Sequence, residues 1–63
     1  MPSEQRFADV SRELERNGWK LVRIRGSHHI FEKPGNANLV IPVHQGKVKP
    51  AYVRQVKKAI EGD

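Results

Sequence analysis

What most constrains this chain is where its two kinds of hydrophobic periodicity fall. Helical spacing occurs only towards the two ends, and the middle carries three short β-type runs. Phe7, Val10 and Leu14 recur at i, i+3 and i+7, a single narrow apolar stripe. Near the other end, Tyr52, Val53, Val56, Ala59 and Ile60 cover one arc of a helical wheel, with Arg54, Lys57 and Lys58 on the opposite arc. Only 63 residues are available, so the chain has room for one domain, 1–63, and one core. That excludes a dinucleotide-binding fold, whose two βαβαβ halves need far more chain. It also excludes a site built between two large domains.

The punctuation between the runs sets the expected boundaries. Ser3 is a candidate N-cap, with Glu4 in a first turn where the helix dipole favours anions. Asn17-Gly18 reads as the stop, Gly18 taking the left-handed conformation past the last turn. A first helix is therefore expected over residues 4–17. Residues 19–24 are rich in aromatic and β-branched residues and read as a first strand, and Arg25-Gly26 can turn it into a second strand over 27–33. Residues 33–38 are dense in turn formers, and a third strand is expected over 39–44. Pro42 lacks a ladder donor, which places it at an edge or strand end. Residues 45–49 read as a polar loop, and Pro50 suits the first position of a helix over 50–61.

The order α-β-β-β-α calls for an α+β two-layer sandwich. Both apolar helix faces need the same face of a three-stranded antiparallel sheet, which leaves the other sheet face open. His28 and His29 are adjacent on the second strand, so they point to opposite faces. Parity groups His29 with Phe31, and His28 with Ile30 and Glu32. Phe31 is the larger apolar side chain and Glu32 resists burial, so Phe31 is expected inside and His28 on the open face, with Ile30 exposed beside it.

Charge narrows the partners. Residues 16–60 carry ten Lys and Arg against Glu32 alone, within a net charge of +5. A field of that sign attracts polyanions, with RNA, DNA or an acidic protein as candidates. The chain has no Cys, so disulfides and Cys-based zinc sites are excluded. Its longest apolar run, Leu39-Val40-Ile41, is far short of the roughly 20 residues that span a bilayer. Met1-Pro2-Ser3-Glu4 has neither a basic n-region nor an apolar h-region, so a cytoplasmic location is expected.

Few constellations can carry chemistry. The histidines His28, His29 and His44 have no HxH or HExxH spacing, so no metal or cofactor is expected. An imidazole can move protons in phosphodiester transesterification, and RNA supplies its own 2′-OH nucleophile. His28 is the candidate for that role; the alternative is an ordinary surface histidine. Gly26 and Ser27 offer backbone N–H groups and a hydroxyl to a phosphate. Arg23, Arg25, Lys47 and Lys49, with Lys57 and Lys58 on the second helix, are candidates for gripping an RNA backbone. Ser27 and His28 do not make a hydrolytic triad, because adjacent strand residues diverge and no acid orients the imidazole. Trp19 and Tyr52 read as core.

Gly18-Trp19, Arg25-Gly26-Ser27-His28-His29-Ile30-Phe31, Ile41-Pro42-Val43-His44 and the Pro-opened basic helix together resemble the HicA toxins, over residues 5–60. The resemblance implies a fold like that of a double-stranded RNA-binding domain. It implies ribosome-independent cleavage of mRNA, with the histidine after Gly-Ser, His28, as the catalytic one. It also implies a HicB-type antitoxin that masks the active site. The role of His29 and His44 stays open at this point. Two other readings remain: a non-catalytic RNA-binding module, and an interaction protein that uses the basic open sheet face.

Overall fold

The two apolar helix stripes converge on one sheet. The computed structural model describes residues 3–61; Met1 and Pro2 of the N-terminal reading, and Gly62 and Asp63, lie outside the described residues. In chain order the elements are β1 (Gln5–Arg6), α1 (Phe7–Arg16), β2 (Lys20–Arg25), β3 (His28–Glu32), β4 (Leu39–Pro42), β5 (Lys47–Val48) and α2 (Pro50–Glu61). The antiparallel sheet has the order β2-β3-β4, and β1 pairs with β5 as a separate ribbon. Val10 and Leu14 of α1, and Val53 and Val56 of α2, are buried together with Phe31 of β3 and Ile41 of β4. Both helices therefore cover one sheet face, in an α+β sandwich of the expected α-β-β-β-α order. The label of a double-stranded-RNA-binding-like fold fits it.

The end of α1 shows how local chemistry sets this packing. Gly18 has φ +93, and the Gly18 and Trp19 amides donate to the carbonyls of Glu15 and Leu14 at 3.2 and 3.0 Å. That is the paired-bond Schellman termination, with its usual apolar contact between the residues at its two ends. Here those residues are Leu14 and Trp19, both in the core. The turn thus aims β2 back along the helix that precedes it.

Two expectations need correction. α1 starts at Phe7, not near residue 4, and Ser3 does not cap it. Gln5 and Arg6 are instead drawn into pairing with Val48 and Lys47, and the Phe7 amide donates to the Gly46 carbonyl at 2.8 Å. A tertiary carbonyl so satisfies one of the first-turn N–H groups that have no partner within the helix. The second correction concerns residues 45–49, which are a hairpin and not a polar loop. His44 and Lys47 exchange two backbone hydrogen bonds of 3.0 Å around Gln45 (φ 54) and Gly46 (φ 77). Two positive φ values in a row are what a type I′ turn requires. The turn drives Val48 fully into the core.

Candidate active site

The open sheet face is built by strand alternation. His28 and Ile30 point away from the helices, while His29 and Phe31 point towards them, as parity predicted. In register, His28 lies between Arg25 on β2 and Pro42 on β4. Ile30 lies between Arg23 and Val40. A register shift between Leu21 and Arg23 places an extra residue, Val22, on this stretch of β2. Such a bulge bends its strand and re-aims the side chains around it. Ile30 is half-buried, not exposed, because neighbouring strands crowd it.

His28 itself is exposed, at the first position of β3. Arg25 and His28 pair directly across a two-residue turn, Gly26-Ser27. Gly26 has φ +58 and Ser27 does not share the positive sign, the pattern of a II′ hairpin turn. A Cβ on Gly26 would meet nothing within 4 Å, so the backbone there is open to an approaching ligand. The turn is held rigidly from behind. The Ser27 carbonyl accepts the Val43 amide at 2.7 Å and lies 3.2 Å from His29 Nδ1. The His29 ring packs on Phe7, centroids 4.4 Å apart, and Phe7 reaches Phe31 at 6.1 Å. His29 is thereby tied into the core edge, and it fixes the carbonyl next to His28. Given that bond, His29 Nδ1 carries the proton.

The remaining candidates fall into three places. Arg23 and Arg25 share the open face with His28, all three exposed. Lys47 and Lys49 flank the buried Val48 on the ribbon side, pointing to solvent. Lys57 and Lys58 are exposed on α2, whose buried residues Val53 and Val56 face the sheet. They belong to the helix side of the molecule, away from His28. His44 is exposed on the I′ hairpin two residues past Pro42. Among the described residues no three His, Cys, Asp or Glu side chains gather as a metal-binding group. The one ion pair among them, Arg6–Asp9 at 3.4 Å, is exposed and far from this site in sequence. Among the described residues, no helix is long and apolar enough to cross a membrane.

Residues 7–61 match the family described as the HicA toxin of bacterial toxin–antitoxin systems. The chain belongs to the HicA toxin family. The match takes in both helices, the whole three-stranded sheet and every candidate site residue named above. No curated protein matches the chain. Membership makes this protein the toxin of a toxin–antitoxin pair, with an antitoxin as its partner.

Sequence reasoning missed one contributor to the site, the tethering of the Gly26-Ser27 turn by His29 and Val43. Parity does place His29 on the helix side. Only the tertiary fold brings Phe7 against it.

Proposed function

We propose that this HicA toxin is a metal-independent endoribonuclease that cleaves mRNA, with His28 as its proton-transfer residue and a HicB-type protein as its antitoxin. The observation that carries the reading is the placement of an exposed histidine beside two exposed arginines of the neighbouring strand on an otherwise open sheet face. In that reading the ribose 2′-OH attacks the adjacent phosphorus. The O2′–P bond forms and the P–O5′ bond breaks, leaving a cyclic phosphate and a free 5′-hydroxyl. His28 moves one of the two protons, either taking it from the 2′-OH or giving it to the departing O5′. Water or the substrate handles the other, since one imidazole cannot serve both ends in a single step. Arg25 and Arg23 lie where they can neutralise the charge that grows on the phosphoryl oxygens. Gly26 and Ser27 offer backbone N–H groups to the same phosphate. Lys47, Lys49, Lys57 and Lys58 add to the field that draws the polyanion in.

The test is the chemistry of the product ends. RNA incubated with the protein in EDTA should be cut, and the downstream fragments should carry 5′-hydroxyls. Cutting that needs added magnesium and leaves 5′-phosphates would refute the mechanism. RNA that is bound with a steep salt dependence but stays intact would leave a binding module instead.

A further inference from the structure

The open sheet face continues past His28 to a groove at its other end. That groove has a volume of about 540 Å³, and its lining includes Lys20, Val22, Glu32, Lys33, Asn36 and Asn38. The volume lies within the range of about 300–1,000 Å³ usual for small-molecule sites. Glu32 sits on β3 at the parity of His28 and Ile30, and it pairs in register with Lys20. Groove and histidine therefore share one face. Among the described residues, the side chains of Lys20, Glu32, Lys33 and Asn38 make no hydrogen bond or ion pair. Asn36 donates its amide to the Pro34 carbonyl at 3.2 Å, which leaves its Oδ1 available. The Lys33 stem lies along Gly18, where an added Cβ would come 3.4 Å from Lys33 Cε.

We propose that this groove is a second nucleotide subsite, taking a base and its phosphate from the RNA strand whose scissile phosphate lies at His28. The proposal rests on the ribonuclease reading above. Four residue steps along β3 separate His28 from Glu32, about 13 Å at strand rise. A single strand covers that span in about two to four nucleotides, taking ~3.4 Å per stacked nucleotide and up to about twice that when extended. The face between is lined by Ile30 and by two exposed aliphatics, Val22 (43%) and Val40 (45%), which give ribose and base an apolar surface. Within the groove, Lys20 and Lys33 are point charges for a phosphate, and Val22 offers a wall for a base. The Glu32 carboxylate and the Oδ1 atoms of Asn36 and Asn38 accept hydrogen bonds, which suits the exocyclic amino group of cytosine, a group uracil lacks.

The experiment uses folded His28→Ala protein, to prevent cutting, and fluorescence anisotropy with single-stranded cytidine oligomers of two nucleotides, too short to span from His28 to the groove, and of eight. The wild type is run beside it on long RNA in EDTA. The longer oligomer should bind about tenfold more tightly, a gain of the size expected for one stacked and anchored base. Lys20→Ala, and the charge-neutral Asn38→Ala, should each bring the ratio of the two affinities towards one. Uridine oligomers should show a smaller ratio. If the wild type cuts RNA but the ratio is unaffected by either variant, the subsite is wrong and the ribonuclease reading stands. If the ratio behaves as expected and the wild type does not cut, the subsite stands and the ribonuclease reading fails. If the protein neither cuts nor binds RNA, both fail.

Discussion

His29 sits one residue from the proposed proton-transfer group, and its geometry assigns it a holding role that can be tested. His29→Ala removes the ring contact with Phe7 at 4.4 Å and the bond to the Ser27 carbonyl at 3.2 Å. An aromatic pair contributes about 0.5–1.5 kcal/mol beyond burial, and a hydrogen bond about the same net. The expected loss is therefore about 1–3 kcal/mol. A 63-residue domain has only about 3–9 kcal/mol in total, so this is a large fraction. His29→Phe keeps a ring on Phe7 and loses only the hydrogen bond. The Val43 amide still satisfies the Ser27 carbonyl at 2.7 Å, so no buried acceptor is orphaned. Its loss should be about 0.5–1 kcal/mol, a midpoint drop of about 2–8 °C. Thermal melts followed by circular dichroism measure both. RNA cleavage is then assayed well below both midpoints and expressed per folded molecule. The holding role predicts that His29→Phe cuts within a few-fold of wild type. A fully folded His29→Phe protein that does not cut would make His29 a participant in the chemistry.

Other substitutions test the packing and the electrostatics. Leu14→Ala empties a fully buried position that also anchors the Schellman turn, and should cost about 2.7–5 kcal/mol in urea unfolding; a near-normal midpoint would break the α1 packing. Gly18→Ala forces a side chain to φ +93 against Lys33 and should cost about 1–2 kcal/mol, while a stabilised variant would contradict the left-handed cap. Arg23→Ala with Arg25→Ala should lower the slope of log affinity for single-stranded RNA against log salt by about 1.4, if each releases a counterion. Lys57→Ala with Lys58→Ala should lower it less, because α2 lies on the opposite side of the sheet from His28; an equal drop would put the RNA on the helix face.

The elements most legible in the sequence were those with a local physical cause. The wheel of residues 50–61 has one apolar arc and one basic arc, and α2 occupies that span. Gly18 follows the last apolar residue of the first stripe and has the predicted left-handed φ. Pro42 ends β4, an edge strand, where its missing donor does no harm. His28 and His29 fell to opposite faces because a strand has period two, and the bulk of Phe31 chose which face. The elements that were not legible depend on contacts distant in sequence. β1 and β5 have two residues each, too few for any period, and they exist because Gln5-Arg6 meets Lys47-Val48. A lone Val48 between two lysines gave no sign that it would be fully buried. Gln45 in a positive-φ turn runs against its own preference, and the closing pair His44–Lys47 imposes it. The groove near Asn36 and Asn38 arises from a loop folding beside β2, which no spacing in the sequence announces.

The central claim is that His28 does chemistry on RNA and does not merely decorate a basic surface. Its most direct test is cleavage of RNA in EDTA by the purified toxin, beside a His28→Ala protein shown to be folded by circular dichroism and to bind RNA within a few-fold of wild type. Cutting by the wild type and intact RNA with the variant are expected. Equal cutting by both proteins, or intact RNA with both, would contradict the claim.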